Sequence, residues 1–426
     1  MKAVVLAAGE GVRLRPITVT RPKHLIKVGG KSILEHCLEA LKLSGVTEVT
    51  IVTHYMGESI RQLLSDGEKF GLKITYIEQA EMLGTGNAVS VVEPYIEGDF
   101  VLAYGDLLFA PEAVTDIVRL YEAEKPVAVM AVVPVEKPES YGIVEIEKER
   151  IIKRIVEKPT TGKAPSNLAN AGLYVFSKDI FDKIKQTKAS IRGEWELTDS
   201  LSLLIKDGKT VLASKIAKSD WMDIGRPWDL LEANSWVLKR MEHKVYGTVE
   251  IGAHLVGPVT VAETARVRSG AYIEGPSFIG EGSDIGPNCY IRPYTSVGKN
   301  VRIGNACEVK NSIVMDGTHV GHLSYVGDSI LCERCNLAAG TITANLRLDD
   351  GHVKMLVKGK IVDTGRRKLG AILGDEVKTG INALLMPGVK VGPRSWLGAN
   401  FTVHRDVPED TIMLLKQDED KQKKGL

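Results

Sequence analysis

Short apolar segments alternate with amphipathic segments over the first half of the chain. The apolar runs AVVLAA, VTIVTH and KITYIE are separated by ILEHCLEALKLSG and ESIRQLLSDGEKFG, in which apolar residues recur at helical spacing. This alternation is typical of a parallel sheet covered by helices on both faces. The later segment GIVEIEKERIIKRIVEKP has a polar centre and predicts an antiparallel hairpin added to that sheet. We therefore predict an α/β domain with a mixed sheet over residues 1–227.

The second half of the chain has a different period. Residues 228–244 place apolar side chains on one face and predict a linker helix. From Val249 to Val309 an apolar residue recurs every six positions, and the period returns from Leu373 to Val403. Such hexapeptide repeats are typical of a parallel β-helix, which we predict for residues 245–410. Residues from about 345 to 368 break the period and are expected to leave the coil as an excursion, and residues 411–426 to form a polar tail.

The composition of the chain limits the kinds of molecule that it is expected to bind. The chain has 55 Lys and Arg residues against 54 Asp and Glu residues, so no bulk charge exists to hold nucleic acid or an anionic membrane. Its five cysteines are few and odd in number, which argues against a secreted disulfide framework. No run of about 18 apolar residues occurs. We expect a cytoplasmic protein that binds small molecules rather than nucleic acid or membrane.

A loop with two glycines directly follows the first strand. Gly9 and Gly11 allow backbone N–H groups to approach an oxyanion, and Arg13 and Lys23 add two cations nearby. The loop lacks the third glycine of a dinucleotide fold and the Gly-Lys-Ser/Thr of a phosphate-loop NTPase. It therefore predicts a site for a triphosphate whose β and γ groups leave as pyrophosphate.

Two carboxylates complete this predicted site. Asp106 ends the strand FVLAYGD, and ligands of open α/β sheets bind beyond the carboxyl ends of strands. Asp223 lies in the segment Trp-Met-Asp-Ile-Gly. Nucleotidyl transfer needs Mg²⁺ on hard oxygen ligands to neutralise charge as the α-phosphorus is attacked. The alternative for a single strand-end aspartate is a helix cap.

Six motifs in chain order resemble the sugar-1-phosphate nucleotidylyltransferases: LAAGEGVRLRPIT with RPK, LGTGNAV, YGD, VEKP, NAG and WMDIG. The resemblance implies a Rossmann-like sheet, leaving phosphates held by Arg13 and Lys23, and Mg²⁺ held by Asp106 and Asp223. It assigns the base and ribose of the nucleotide to Leu6, Ala8, Gly9, Gln79, Gly84 and Thr85. It assigns the sugar 1-phosphate to Tyr104, Gly142, Glu157, Asn170 and Lys158. The form LGTGNA is more similar to uridylyltransferases acting on N-acetylglucosamine 1-phosphate than to thymidylyltransferases, so UTP is expected, with dTTP as the alternative.

The β-helix could serve only as an oligomerisation scaffold, but its residue spacing indicates a second site. With three hexapeptides to a coil, Arg292 and Lys310 project one above the other from the same edge. His322 follows two sides further around the coil. A lone histidine at a repeat boundary is more often a structural residue. Here Arg292 and Lys310 accompany His322 in the repeat, which favours a functional role for His322.

The segments GHLSYVGD and AAGTITAN resemble the acetyltransferase part of the bacterial bifunctional enzymes that make UDP-N-acetylglucosamine. The matching positions are Arg292, Lys310, His322, Tyr325, Asn336, Ala339 and Asn345. The resemblance implies that His322 is the general base for the amino group of an amino-sugar 1-phosphate, which attacks the thioester of acetyl-CoA. Arg292, Lys310 and Tyr325 would hold the sugar phosphate, and Asn345 would orient the substrate. It also implies left-handed coils and a trimer, or a multiple of one, with acetyl sites between subunits.

The chain departs from the bacterial pattern in the excursion. Leu346 and Gly351 stand where that family has a tyrosine and a lysine, and Lys354 is the nearest substitute. The basic excursion resembles the archaeal bifunctional enzymes, and we hypothesise that some of its cations contact CoA phosphates; a solvated basic face is the alternative. Cys332 and Cys335 could form part of a zinc or redox site, but the repeat favours a structural role.

These features predict a bifunctional enzyme of UDP-N-acetyl-amino-sugar synthesis. One domain would acetylate glucosamine 1-phosphate, or galactosamine 1-phosphate, with acetyl-CoA. The other would transfer UMP, or dTMP, from the nucleoside triphosphate to the product and release pyrophosphate. Two alternatives remain: a nucleotidylyltransferase whose β-helix only regulates or oligomerises, and a catalytically silent binding subunit.

Overall fold

The computed structural model describes residues 1–190 and 193–416. The chain divides into two compact units. The first comprises Met1–Gly11, Arg21–Ile26 and Lys31–Gly225, and the second comprises Val12–Thr20, Lys27–Gly30 and the chain from Arg226 onward. Residues 417–426 of the predicted polar tail lie outside the described residues. Among the described residues, no helix combines the length and the apolar character needed to cross a membrane.

The first 225 residues contain helices and strands in alternation. The helices of the whole described chain are α1 (Ile33–Leu43), α2 (Gly57–Leu64), α3 (Thr85–Ser90), α4 (Pro111–Glu124), α5 (Asp179–Gln186), α6 (Leu197–Lys206) and α7 (Asp229–Leu238). The strands up to Gly225 are β1 (Lys2–Ala7), β2 (Lys27–Val28), β3 (Lys31–Ser32), β4 (Glu48–Thr53), β5 (Lys73–Glu78), β6 (Phe100–Tyr104), β7 (Leu107–Phe109), β8 (Ala128–Pro134), β9 (Gly142–Glu147), β10 (Ile151–Glu157), β11 (Leu168–Phe176), β12 (Val211–Lys215) and β13 (Trp221–Asp223).

Nine of these strands form one mixed sheet in the order β5-β4-β1-β6-β11-β8-β12-β10-β9. Strands β5, β4, β1 and β6 are parallel, whereas β11 runs antiparallel to both of its neighbours β6 and β8. Strands β9 and β10 pair antiparallel, which confirms the predicted hairpin. Separate clusters of buried apolar residues cover the two faces of the sheet, because its central strands are apolar on both sides.

Local signals fix where α1 begins. The Ser32 hydroxyl accepts a hydrogen bond from the Glu35 amide at 3.2 Å, and the Ser32 amide donates to the Glu35 carboxylate at 2.8 Å. This reciprocal capping box satisfies two N–H groups that the helix itself leaves unpaired. The helix then buries Leu34, Leu38 and Leu41 against the sheet.

Three parallel sheets form most of the second unit. The first sheet contains β14 (Lys244–Val245), β17 (Val259–Val261), β20 (Ser277–Ile279), β23 (Thr295–Val297), β26 (Ile313–Val314), β29 (Ile330–Leu331), β34 (Ile372–Leu373) and β37 (Lys390–Val391). The second contains β15 (Thr248–Val249), β18 (Arg266–Val267), β21 (Asp284–Ile285), β24 (Arg302–Asn305), β27 (His319–His322), β30 (Asn336–Leu337), β35 (Lys378–Thr379), β38 (Trp396–Leu397) and β40 (Ile412–Met413). The third contains β16 (His254–Val256), β19 (Tyr272–Glu274), β22 (Tyr290–Ile291), β25 (Glu308–Lys310), β28 (Tyr325–Gly327), β31 (Ile342–Thr343), β36 (Leu384–Leu385) and β39 (Thr402–Val403).

The chain visits the three sheets in turn, which is the arrangement expected of a β-helix. The apolar residues of the six-residue period face inward: Ile279, Ile285 and Ile291 are fully buried. Successive coils are in register, with Ile279 opposite Val297 and Ile291 opposite Val309. The inner core is therefore a stack of like residues from equivalent positions.

The period does not stop at Val309, as the sequence suggests, but continues in two shortened coils. Val314 follows Val309 after five residues instead of six, and Leu331 likewise follows Val326 after five. Both shortenings fall at the corner that joins the third sheet to the first, which we call the 3–1 corner. The strands stay in register because the missing residue is taken from the turn.

Two further parts of this unit differ from a plain coil. The helix α7 ends at Leu238, earlier than predicted for residues 228–244, because Lys244 and Val245 already pair with β17 as a strand. Between Asn345 and Leu369 the chain forms an antiparallel hairpin, β32 (Lys354–Val357) with β33 (Lys360–Asp363), and then rejoins the coil.

Candidate active sites

The residues assigned to the nucleotide lie at one edge of the mixed sheet. Leu6 is in β1, with Ala8 and Gly9 just beyond it, and Gln79 directly follows β5. These parallel strands end at the same edge, where ligands of such sheets bind. The structure therefore brings the first predicted set together.

The loop before α3 is held by hydrogen bonds that leave little freedom. The side-chain amide of the buried Gln79 donates a hydrogen bond to the side-chain oxygen of Asn87 at 2.7 Å. The Thr85 hydroxyl accepts one from the Leu197 backbone amide at 3.0 Å. Gly84 has φ +109°, and a Cβ atom there would lie 2.7 Å from the Trp195 carbonyl oxygen. Glycine is required at this position because both the backbone conformation and the space exclude a side chain.

Lys23 and Asp106 form an ion pair at the centre of this edge. Lys23 runs across Gly9, where a Cβ atom would lie 3.1 Å from the ammonium nitrogen. Burial opposes ionisation of Asp106, but the Lys23 ammonium holds the pKa of this carboxyl below its usual value. Burial also lowers the pKa of the neighbouring His24 to about 3, so the imidazole is neutral and adds no charge to the pair.

Asp223 joins Asp106 through a short two-stranded pairing. Strand β13 runs antiparallel to β7 with Asp223 opposite Leu107, the residue after Asp106. Two carboxylates at neighbouring positions are hard oxygen donors of the kind Mg²⁺ prefers. The part of the chain that the structure describes has no group of three or more His, Cys, Asp or Glu side chains suited to a metal ion. A metal bound by these two carboxylates would therefore take its other ligands from water and substrate.

The residues assigned to the sugar lie around the β9–β10 hairpin and β11. Gly142 is directly opposite Glu157, whose carboxylate oxygen would be 2.7 Å from a Cβ atom at Gly142. Lys158 follows β10 with φ +44° and is exposed, its ammonium 3.9 Å from the Glu157 carboxylate. The hairpin thus presents a carboxylate and a cation side by side.

A buried tyrosine absent from the sequence prediction connects two of the predicted sugar contacts. The Tyr174 hydroxyl accepts a hydrogen bond from the Asn170 amide at 2.6 Å and lies 3.3 Å from the Tyr104 hydroxyl. Burial raises the pKa of Tyr104 to about 12, so its hydroxyl keeps its proton. The sequence offers no signal for Tyr174, since it looks like any apolar residue of a buried strand.

Among the residues predicted for the nucleotidyl-transfer site, Arg13 is the one that does not group with the first unit. It lies in a short 3-10 turn, Val12–Leu14, which groups with the second unit. Leu14 is buried and Arg13 is exposed, so the turn is anchored by its leucine and presents its arginine.

The second predicted site is built on the 3–1 corners of consecutive coils. Arg292, Lys310 and Gly327 each follow an inward-facing residue of the third sheet, and Lys310 pairs with Gly327. Lys310 contacts Asp328 at 3.2 Å, and the Asn345 amide donates to Asp328 at 2.5 Å and to the Tyr325 hydroxyl at 3.1 Å. The structure therefore joins Lys310 and Asn345 through one aspartate that the sequence prediction missed, and joins Tyr325 to them through Asn345.

Arg292 lies at the equivalent corner one coil before Lys310. Its guanidinium donates to the Glu308 carboxylate at 2.9 Å and lies 5.7 Å from the centre of the Tyr290 ring. The carboxylate raises the pKa of Arg292 through this hydrogen bond. Both predicted phosphate-binding cations, Arg292 and Lys310, are therefore paired with carboxylates.

His322 and Ala339 lie on another side of the coil. His322 is the last residue of β27 in the second sheet, and Ala339 lies in the turn that follows β30, one coil later; His322 is exposed. Asn336 is exposed on the second sheet, and Lys354 is exposed on the hairpin β32–β33. His322 and Ala339 therefore lie at a different corner of the coil from the cluster around Asp328.

The cysteines that invited a metal or redox interpretation are buried. Among the described residues no cysteine forms a disulfide, and the Cys335 thiol donates a hydrogen bond to the Gly374 carbonyl at 3.1 Å. Cys332 and Cys335 lie at a corner of the coil, at most 1% exposed, where small residues fit the turn.

Comparison with known proteins identifies the family of this chain. A family model described as nucleotidyl transferase matches residues 2–240, and a model described as the GMPPB C-terminal domain matches residues 273–385. The chain is 44% identical to the bifunctional protein GlmU of Methanocaldococcus jannaschii and 46% identical to that of Methanococcus maripaludis, over 98% of each chain. It is 39% identical to a bifunctional sugar-1-phosphate nucleotidylyltransferase/acetyltransferase of Sulfurisphaera tokodaii, over 96% of this chain and 98% of the relative. The chain belongs to this bifunctional family.

Membership confirms the predicted combination of nucleotidyltransferase and acetyltransferase functions, and it disfavours a silent subunit. A solved structure supports the first function. A UDP-glucose pyrophosphorylase complexed with UDP-glucose has 27% identity and a TM-score of 0.51, over 56% of this chain and 98% of that one.

Proposed function

We propose that the chain makes a UDP-N-acetyl-amino sugar in two successive reactions. The second unit acetylates glucosamine 1-phosphate with acetyl-CoA, and the first unit transfers UMP from UTP to the product. The grouping of Lys23, Asp106 and Asp223 at one sheet edge carries the nucleotidyl-transfer assignment. The cluster of Lys310, Tyr325 and Asn345 around one corner supports the acetyl-transfer assignment.

In nucleotidyl transfer, the sugar phosphate attacks the α-phosphorus of UTP and pyrophosphate leaves. Arg13 and Lys23 hold the leaving phosphates, so Lys23 turns from Asp106 to the β and γ groups when the nucleotide binds. Asp106 and Asp223 are then available to hold Mg²⁺, which when bound would neutralise the charge that develops at the α-phosphate. Glu157 and Asn170 orient the sugar, and Lys158 contacts its phosphate.

In acetyl transfer, His322 accepts a proton from the amino group of the amino sugar. The amine forms the new C–N bond with the thioester carbonyl, the C–S bond breaks, and the CoA thiolate takes up that same proton from His322. Arg292, Lys310 and Tyr325 hold the sugar phosphate, and Asn345 orients the substrate. Asn336 and Ala339 complete the pocket, and Lys354 on the excursion contacts CoA phosphates.

The distribution of these residues supports a site shared between subunits. His322 ends a strand of the second sheet and Lys310 ends a strand of the third sheet, so the two residues lie on different sides of one chain. We propose a trimer of left-handed coils in which one subunit supplies the 3–1 corner and its neighbour supplies His322. The cytoplasmic location expected from the sequence stays a prediction.

The deciding experiment measures both reactions with the purified full-length protein. CoA thiol release that requires glucosamine 1-phosphate and disappears in His322→Ala is the expected result for the second unit. Pyrophosphate release from UTP and N-acetylglucosamine 1-phosphate that requires Mg²⁺ and disappears in Lys23→Ala is expected for the first. Galactosamine 1-phosphate and dTTP, tested in parallel, identify the preferred epimer and base.

No thiol release with either amino-sugar phosphate, from protein that still releases pyrophosphate, would reduce the β-helix to a scaffold. For the excursion, an unchanged KM for acetyl-CoA in Lys354→Ala would contradict the proposed contact with CoA.

A further inference from the structure

A buried carboxylate that no proposed step uses lies at the centre of the second site. Asp328 is 3% exposed and sits in a 3–1 corner directly after β28. Its carboxylate accepts hydrogen bonds from Lys310 at 3.2 Å, from Asn311 at 2.7 Å and from Asn345 at 2.5 Å. These three donors come from the corners of the coil before and the coil after, so Asp328 joins three levels of the β-helix.

The backbone holds Asp328 in place independently of its side chain. The residue has φ +49°, its amide donates to the Lys310 carbonyl at 2.9 Å, and its carbonyl accepts from the Gly370 amide at 2.8 Å. The turn that it occupies is one of the two corners shortened by one residue. The carboxylate is therefore a fixed point against which longer side chains are aligned.

The neighbouring glycine shows how closely the site is packed. A Cβ atom at Gly327 would lie 2.4 Å from the Tyr325 hydroxyl oxygen and 2.7 Å from the Asn345 amide nitrogen. Tyr325 and Asn345 therefore lie over the backbone of Gly327 and bond to each other there. Through Asn345, the position of Asp328 also determines where the Tyr325 hydroxyl lies.

A cation held by one fixed carboxylate is suited to bind a phosphate. The Lys310 side chain is only 19% exposed, and its ammonium has two further N–H groups beyond the one directed at Asp328. Without a carboxylate nearby, a largely buried ammonium would lose hydration with no compensation, and a long side chain would sample several rotamers. Ordering before the substrate arrives reduces the cost of binding.

We propose that Asp328 is a positioning residue of the acetyl-transfer site, which holds Lys310 and Asn345, and through Asn345 also Tyr325, in the geometry that binds the amino-sugar phosphate. The proposal rests on the proposed acetyl-transfer function. Asp328 acts through these side chains and does not itself contact the substrate.

The test compares Asp328→Asn with wild type by kinetics and by calorimetric titration with glucosamine 1-phosphate. Asparagine has the same size but removes the charge and one acceptor, so we expect the KM and the Kd for glucosamine 1-phosphate to rise about tenfold. The KM for acetyl-CoA and the rate of pyrophosphate release stay unchanged. In a Lys310→Met background the same substitution has a smaller effect, because the two residues act as a unit.

Two further variants separate positioning from folding. Asn311 donates to the Asp328 carboxylate but is not one of the proposed substrate-binding residues. Asn311→Ala removes this contact, and we expect a smaller rise in the KM for glucosamine 1-phosphate. Asp375→Asn is the matched control. Asp375 is 5% exposed, and elsewhere on the coil its carboxylate accepts a hydrogen bond from the Glu333 backbone amide at 2.9 Å. We expect this variant to leave the KM for glucosamine 1-phosphate unchanged.

An unchanged KM and Kd in both Asp328→Asn and Asn311→Ala would overturn the proposal. Equal losses toward glucosamine 1-phosphate and acetyl-CoA would also overturn it, because they indicate a general structural role. Wild-type protein that binds glucosamine 1-phosphate without releasing thiol would contradict acetyl transfer, and the same titrations would still decide the role of Asp328. If wild-type protein did not bind glucosamine 1-phosphate, both the acetyl-transfer function and the proposed role of Asp328 would be overturned.

Discussion

The two sites of this protein both contain a lysine paired with a carboxylate, but the chain assembles them differently. In the first unit, Lys23 pairs with Asp106, and Asp223 is brought beside them by a strand more than a hundred residues later. In the second, Lys310 and Asp328 come from equivalent corners of consecutive coils. Sheet topology builds one site, and repetition builds the other.

This difference explains why the two sites give different kinds of sequence signal. A site at a sheet edge appears as short motifs scattered through the chain, whose proximity depends on long-range strand pairing. A site on a coil appears as residues at a fixed spacing, because equivalent corners lie directly above one another. The comparison predicts that each site can be lost without the other.

The largest expected effect is on the first site. Asp106→Asn removes the charge of one of the two proposed Mg²⁺ ligands, and we expect pyrophosphate release to fall on the order of 10³-fold. Thiol release with glucosamine 1-phosphate is unaffected. Loss of both activities together would show that the two sites are not independent.

The reciprocal change breaks the second site. His322→Ala removes the proposed general base, and we expect thiol release to fall by about 10²-fold or more while pyrophosphate release stays at the wild-type rate. His319→Ala is the matched control, since His319 is also exposed on β27. A similar loss in both histidine variants would argue against a specific role for His322.

A smaller effect tests the packing of the corner. Gly327→Ala would push a methyl group into Tyr325 and Asn345, and we expect kcat/KM for glucosamine 1-phosphate to fall about tenfold. Gly321→Ala provides the comparison, because nothing lies within 4 Å of a Cβ atom at Gly321. Equal kinetics in the two variants would contradict the close packing at Gly327.

The smallest effect concerns stability of the α/β unit alone. Ser32→Ala removes the capping box of α1, and we expect the free energy of unfolding to fall by about 1 kcal/mol in urea titrations. Neither KM is expected to change, since Ser32 is fully buried and belongs to neither set of predicted site residues. A change in activity without a change in stability would be the contrary result.

Much of the fold could be predicted because its signals are local. The six-residue period placed Ile279, Ile285 and Ile291 in the core, and all three are buried. The polar centre of the segment over residues 142–159 predicted the hairpin β9–β10. Each of these signals is a comparison of neighbouring residues, so no knowledge of distant parts of the chain is needed.

Other features depend on distant pairing and were missed or misjudged. The end of α7 was placed too late, because the sequence does not show that Val245 pairs with Val261. The shortened coils after Val309 looked like a break in the repeat, although strand pairing carries the register through them.

The two architectures, the inward-facing residues and the chemical types available at each site can all be read from the order of residues along the chain. Which of those residues meet depends on the folded chain: Tyr174 connects Asn170 with Tyr104, and Asp328 connects Lys310 with Asn345. Periodicity is set by whether each position faces a core or solvent, which neighbouring residues report. Contacts between side chains depend on the lengths of turns and on strand register, and a change of one residue in a corner is enough to decide them.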